Sequence, residues 1–334
     1  MKDVKEVAKD VITILKDYEF KTFQVGASIP TKWVEMEDAI RAEFKLKGGH
    51  SIKSDLTHRV NQTVSNKIKK KVQYNKPDVV AVIDLISDKI IINPRPIFLL
   101  GKYLKIKRGA SQKQNTCKKC FGIGCPDCDY YGISKEMSVE QILNKHILSI
   151  FDGKKTTFSW VGGEDSKSLV LGNGRPFYVE INSPKKTHIN DSKDLKYLSH
   201  GINLTELKPT TKKNHDTHSF RTEILVRAKF EKKISKEKLE KISKKITGME
   251  VEQPSTKKQK ISKKQIFFFT VKSMRGKNAQ IHLICDGGLG IRRFIAGEGI
   301  EIYPNLPNIL EIDISLDENK PFDILNVEMF SESF

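Results

Sequence analysis

Gly162-Gly163-Glu164-Asp165-Ser166-Lys167-Ser168-Leu169-Val170-Leu171-Gly172-Asn173-Gly174-Arg175-Pro176-Phe177 sets a carboxylate pair in a glycine-rich loop. A short apolar run follows, then a second glycine turn bearing Arg175. The run Leu169 to Leu171 predicts a strand bracketed by two turns, where the backbone bends sharply or comes close to something. Asp165 then stands at a strand edge beside a basic residue, in position to face a ligand. The plainer reading is an Asp that only bonds its own turn.

Working outward, Phe158-Ser-Trp-Val161 leads into this loop, and Tyr178-Val-Glu-Ile181 alternates as a strand ending at Pro184. Glu136 to Ile150 reads as a helix with Ser138 as its N-cap. Thr205 to Asp216 is polar and predicts a loop. Phe220 to Phe230 predicts a strand with Ile224, Val226, Ala228 and Phe230 on one side. Lys232 to Ile246 is a basic amphipathic helix, and Lys257 to Lys264 a basic loop. Strands Ile266–Val271 and Ala279–Cys285 bracket Gly276-Lys277-Asn278. Ile309 to Leu316 and Phe322 to Phe330 predict the last two strands. This half predicts a mixed, largely antiparallel sheet flanked by helices.

Upstream lies Cys117-Lys-Lys-Cys120-Phe-Gly-Ile-Gly-Cys125-Pro-Asp-Cys128. Two C-x-x-C pairs this close, with Gly122 and Gly124 allowing a tight backbone, suit tetrahedral zinc with ~2.3 Å Zn–S bonds. All four positions are filled by protein, so the zinc would be structural. Unmetallated thiols are the alternative; a redox pair is disfavoured because no thioredoxin-like setting surrounds it. Cys285 stands alone in an apolar run and reads as core.

At the start of the chain Val4, Val7, Val11, Ile14 and Leu15 recur at helical spacing. A strand over Phe20–Val25 follows, then a helix from Trp33 to Leu46 with Val34, Ile40 and Phe44 on one face. A third helix is predicted over Asp55–Val72, closing on Lys67, Lys69, Lys70 and Lys71. Asp78–Ile86 and Lys89–Ile92 predict adjacent strands, and Ile97–Tyr103 adds another. Lys67 to Lys71, Lys102, Lys105, Lys107 and Arg108 form either a phosphate-facing surface or a solvated face.

The 334 residues give room for two or three domains, with 38% hydrophobic and 30% charged residues. Lys+Arg of 59 against Asp+Glu of 41 leaves +18, which points to an anionic partner, RNA foremost. A heat-adapted lysine coat would carry matching Glu, and here Glu does not keep pace. Met1 to Phe20 lacks the ~7–15-residue apolar run of a signal peptide. No run approaches the ~18 apolar residues of a membrane span. The expectation is a cytoplasmic monomer without a membrane partner and with reduced cysteines.

The run GGEDSKSLVLGNGRPFYVEINSPK (Gly162 to Lys185) resembles the catalytic segment of the pseudouridine synthase ten family, the archaeal and eukaryotic tRNA pseudouridine synthases. The four-cysteine element is similar to one that members carry before their catalytic domain; a second C-x-x-C, common near their N-terminus, is missing here. PDVVAVIDLISDKIIIN and FLLGKYLKIKRG resemble parts of a THUMP domain, an RNA-binding module.

The resemblance implies an α+β protein in three parts: a THUMP-like α/β domain over 1–105, a four-cysteine zinc knuckle over 106–135 and a pseudouridine synthase domain over 136–334. It makes Asp165 the catalytic carboxylate and Arg292, in Gly288-Leu-Gly-Ile-Arg292-Arg-Phe-Ile-Ala-Gly297, the cation that pairs with it. Ile291 takes the apolar place beside that cation, and Arg293 replaces a usually acidic residue, so either arginine could turn inward. Phe220 stands where members usually have the Tyr that stacks on the target base. Arg175 and Lys102 are the further residues expected to touch substrate. The implied partner is tRNA, at uridine 55 of the T arm with uridine 54 as a second candidate. Catalysis would need no cofactor.

Without the resemblance, Phe220 reads as core and the two arginines as a surface pair. One rival is a zinc-stabilised tRNA-binding protein with a dead catalytic fold. The other is a THUMP-linked methyltransferase or thiolase, which needs a nucleotide-binding strand–loop–helix; Gly172-Asn-Gly174 and Gly297-Glu-Gly299 are too isolated to supply it.

Overall fold

The computed structural model describes residues 3–189, 197–211, 219–255, 260–299 and 301–330. The chain divides into two compact units: Met1–Ile97 with Ile147–Thr157 and Glu180–Ile189, and Phe98–His146 with Phe158–Val179 and Asn190–Phe334.

The first unit is built from α1 (Val4–Leu15), β1 (Thr22–Ser28), α2 (Thr31–Glu43), α3 (Ile52–Ile68), β2 (Lys71–Val72), β3 (Val79–Asp84) and β4 (Lys89–Pro94). Its sheet runs β2-β1-β3-β4, with only β4 antiparallel to its neighbour. The apolar stripe of α1 (Val7, Val11, Leu15) and Val60 and Val64 of α3 join Phe23, Val25, Val79 and Ala81 in one core. β2 is paired with β1 only as far as Phe23. The Asn61 side chain therefore takes up the next edge groups, accepting from Val25 N–H at 2.8 Å and donating to its C=O at 3.0 Å.

Two expectations shift in this unit. α3 stops at Ile68 because Lys69 turns into the left-handed region (φ +58°), and Lys71 opens a strand instead. α2 forms where its spacing predicts, yet buries nothing, and Val34, Ile40 and Phe44 lie exposed. Periodicity makes a helix amphipathic, but a facing element decides whether the stripe is covered.

The remaining elements are β5 (Ile97–Lys105), α4 (Val139–Phe151), β6 (Lys155–Trp160), β7 (Val170–Asn182), β8 (Tyr197–Ser199), β9 (Ile202–Pro209), β10 (Ser219–Phe230), α5 (Lys236–Ile246), β11 (Glu250–Pro254), β12 (Ile261–Arg275), β13 (Asn278–Asp286), α6 (Ile291–Ala296), α7 (Leu306–Leu310), β14 (Ile314–Leu316) and β15 (Phe322–Phe330). The long sheet runs β11-β12-β13-β10-β15-β7-β5-β9-β8, with β14 on β10 and β6 on β7. Its ladders β11/β12, β12/β13, β13/β10, β10/β15, β5/β9 and β9/β8 are antiparallel. β15 meets β7 in parallel, Ile324 opposite Val170. Ile224, Val226 and Ala228 of β10 join Ile281 and Leu283 of β13 in a core that includes Leu239 of α5, Phe294 of α6 and Leu306 of α7.

Several strand assignments are corrected here. Ile97–Tyr103 opens β5, which pairs with β9 in the long sheet and not with the N-terminal strands. Thr205–Pro209, read as polar loop, continues β9, because Leu204 and Leu207 fill the buried side while Glu206 sits opposite Lys102. The rest of that segment, 212–216, lies outside the described residues, as do 257–259 of the basic loop; Lys263 and Lys264 belong to β12. Ile309–Leu316 splits into α7 and β14: Asn305 caps a short helix by accepting from Asn308 N–H, and Pro307 sits in its first turn.

The second glycine turn is also not a turn. β7 runs straight through it as thirteen residues. Gly172 is left-handed (φ +58°), and a Cβ there would fall 2.0 Å from the Leu325 carbonyl oxygen. Glycine is required because the β15 backbone presses in. No helix among the described residues is long and apolar enough to cross a membrane.

Candidate active site

The loop between β6 and β7 splits its two carboxylates. Glu164 points inward and is fully buried: Lys105 Nζ lies 2.8 Å from Oε1, and Arg175 Nε 3.5 Å from Oε2. Tyr103 donates its hydroxyl to Oε2 at 2.9 Å. Burial, with the Glu164 charge added, pushes the Tyr103 phenol well above its usual range, so it stays a neutral donor.

Lys105 also donates to the carbonyl oxygens of Ala110 and Asp165, both at 3.0 Å, so its ammonium joins the buried carboxylate to two backbone segments. The chain after β5 holds the loop again downstream, where Arg108 donates to the Lys167 carbonyl at 2.5 Å and Gly109 N–H to Ser166 at 2.8 Å. Arg108 is itself gripped by buried Asp323 of β15, which also accepts from Arg227 and from Leu169 N–H.

Asp165 faces outward, its side chain 22% exposed. Oδ1 accepts from Lys167 N–H at 2.8 Å. Oδ2 takes two donors from Arg292, Nη2 at 2.6 Å and Nε at 3.1 Å. Burial alone would raise the Asp165 pKa. The Lys167 N–H, the Arg292 hydrogen bonds and the nearby positive charges outweigh it and hold the carboxyl below its ordinary value. This carboxylate is kept charged at a partly dry surface.

Arg292 and Arg293 open α6 but leave it in different directions. Arg293 points toward the Pro254 carbonyl, with Nη1 at 3.4 Å, while Arg292 alone meets Asp165. Phe220, at the start of β10, is anchored by Gly287 N–H donating to its carbonyl at 2.6 Å. Its ring, with the Arg175 guanidinium, closes over Gly162: a Cβ there would lie 2.7 Å from Arg175 Nη1 and 2.9 Å from the ring. Gly162 has φ +74°, so both backbone and space demand glycine.

Asp165, Arg292, Phe220, Ile291, Arg293 and Arg175 all line one cleft of about 760 Å³, within the ~300–1,000 Å³ of small-molecule sites. Arg175 lies beneath it, its Nη1 donating to the Val161 carbonyl at 2.7 Å. Lys102 is not brought to the cleft; it pairs with Glu206 at 3.0 Å across the β5/β9 ladder. Lys105, read as phosphate-facing, is fully buried. Lys70 is occupied as well, lying 3.7 Å over the Phe20 ring and donating to the Phe20 carbonyl. Sequence reasoning missed the holding residues Glu164, Tyr103, Lys105, Arg108 and Asp323. The one signal for them was the carboxylate next to Asp165.

The four knuckle cysteines converge, every Sγ within 4.8 Å of the others. Cys117–Cys125, Cys120–Cys128 and Cys125–Cys128 are separated by 3.9, 3.7 and 3.7 Å. A tetrahedron with ~2.3 Å metal–sulfur bonds has edges of about 3.8 Å, so the donor set fits a zinc-sized ion. Backbone N–H groups of Gly124 and Gly132 point at the Cys120 and Cys128 sulfurs (3.2 and 3.3 Å), the outer hydrogen bonding that orients thiolate ligands. Cys285 is buried in the core, its thiol pushed up to about 12.

Residues 98–328 match the family described as Pus10, C-terminal, and residues 7–84 match the Pus10 THUMP domain, archaeal. The tRNA pseudouridine synthase Pus10 of Nitrosopumilus maritimus (strain SCM1) is 31% identical over 317 residues, covering 93% of this chain and 79% of that protein. That of Methanopyrus kandleri is 28% identical over 346 residues, covering 97% and 78%. Among solved structures, the crystal structure of a Cbf5-Nop10-Gar1 complex aligns with a TM-score of 0.32 and 12% identity, over 68% of this chain and 58% of that one.

Proposed function

The chain belongs to the Pus10 family of tRNA pseudouridine synthases, and from that premise we propose that it isomerises uridine 55 of the tRNA T arm, and uridine 54 beside it, with Asp165 as the catalytic carboxylate. The observation that carries the residue assignment is the Asp165–Arg292 pair, 2.6 Å apart in a cleft walled by Phe220 and Ile291.

The reaction breaks the N1–C1′ bond, turns the base over and forms C5–C1′; N1 gains a proton and C5 loses one, so no oxidant or reductant enters. The protein's part is to bring an ionised carboxylate to the sugar and to keep the freed base in place. Arg292 keeps Asp165 charged. Phe220 offers the stacking face, and with no phenol there any proton shuttling by a ring hydroxyl at that place is absent or carried by water. Extruding the nucleotide costs a few kcal/mol, offset by contacts of a +18 chain with the phosphate backbone. Cys117, Cys120, Cys125 and Cys128 would hold a zinc ion with all four positions filled by protein, so its part would be structural.

The test is an unmodified tRNA transcript incubated with the protein and mapped by carbodiimide-dependent reverse-transcription stops. A stop at position 55, alone or with 54, is the expected result. No stop with the wild-type chain would leave a tRNA binder.

A further inference from the structure

The knuckle that gathers four thiols inward turns its large side chains outward. Phe121, Ile123, Tyr130 and Tyr131 are 83%, 90%, 73% and 78% exposed. They leave two loops whose backbones touch: the Gly132 backbone lies against the Gly122 carbonyl, and Gly124 against that of Tyr130. Both loops are pinned at their roots. Cys117 N–H donates to the Gly132 carbonyl at 2.9 Å, and Tyr130 N–H to that of Cys125 at 2.9 Å. Four large, mostly aromatic side chains on so small and braced a mount form a presented surface.

The surrounding charges narrow the occupant. Lys118, Lys119 and Lys135 pair with Glu136, Asp127 and Asp129 at 3.3, 2.7 and 3.0 Å. The patch is therefore near neutral locally and suits a flat apolar face better than a row of phosphates. Exposed pairs of this kind contribute little, so the lysines can still turn to a flanking phosphate. On a +18 chain the ligand with both features is an unpaired nucleotide, whose base stacks on an aromatic ring while its backbone stays in reach of cations.

We propose that the outer face of the four-cysteine knuckle is a stacking platform for unpaired nucleobases of the RNA substrate, with Phe121, Tyr130 and Tyr131 as the rings. It rests on the reading that the chain acts on tRNA.

The test uses the full chain and an unmodified tRNA transcript at one fixed salt concentration, with binding read by fluorescence anisotropy in the absence of turnover. Phe121→Ala with Tyr131→Ala weakens Kd at least about tenfold, the loss of one to two stacked bases, and raises KM in parallel. Phe121→Tyr with Tyr131→Phe retains affinity; Phe121→Leu with Tyr131→Leu does not, though it keeps the apolar area. Melting temperature and thiol-bound metal content stay at wild-type values in all three. Unchanged affinity in the alanine pair overturns the proposal, as does a leucine pair that binds like the aromatic one, which would mark an apolar contact without ring stacking. Because binding is read apart from chemistry, a wild-type chain that binds tRNA but forms no pseudouridine would sink the functional reading without touching this one.

Discussion

Asp165 holds its charge in a partly dry cleft because one guanidinium and one backbone N–H outweigh the penalty of burial. Asp165→Asn is expected to abolish pseudouridine formation while tRNA affinity stays within a few-fold; normal turnover in the carbodiimide map would remove this residue from catalysis. The guanidinium's share is read from pH. A carboxylate whose folded-state pKa is depressed stabilises the fold above its unfolded pKa of ~3.9 and loses that contribution as pH falls through the folded value. Arg292→Gln therefore lowers stability at neutral pH but not below both pKa values, and moves the acid limb of kcat/KM to higher pH because burial is then less opposed. A limb that stays in place would mean that Arg292 does not set the Asp165 charge. Phe220 and Arg175 pack so near Gly162 that Gly162→Ala displaces one of them, and a loss of activity larger than the loss of stability is expected.

At the scale of elements, the loop carrying Asp165 is held by the end of β5 and the chain leaving it, as well as by its own turn. Lys105 anchors it from beneath, and Arg108, gripped by Asp323, takes its downstream end. Lys105→Met strips the buried Glu164 carboxylate of its nearest cation, leaving it Arg175 Nε at 3.5 Å and the Tyr103 hydroxyl, at a cost of up to about 3–5 kcal/mol. Adding Glu164→Leu removes that charge and recovers part of the loss, so a double-mutant cycle in denaturant should show strong coupling. Additive losses would refute the buried pair. The knuckle has its own readout: chelation should make four of the five cysteines reactive toward a disulfide reagent while Cys285 stays protected in the core. Reactivity unchanged by chelator would argue against a bound metal.

For the whole molecule, +18 predicts steep salt dependence. If six or more phosphates are contacted, tRNA affinity should fall by about a thousandfold or more between 50 and 200 mM salt. A shallow slope would mean that the lysines are spent on internal pairs, as Lys102 and Lys105 are. Local chemistry written in adjacent residues was legible in the chain: the C-x-x-C spacing that gathers four sulfurs, the alternation of β10 and β13, the bend at Gly162 ahead of Asp165, and the arginine pair before Phe294. Each of these patterns depends on neighbours a few positions away. Burial and partnership do not. Lys105 and Lys107 look alike in sequence, yet Lys105 is sealed under Glu164 because β5 enters the long sheet there. Arg292, not Arg293, meets Asp165 because of how α6 is seated, 127 residues along the chain. A one-dimensional pattern carries the intrinsic preferences of residues and their neighbours, whereas the desolvation and pairing of a charge are settled by whatever distant segment the fold brings against it.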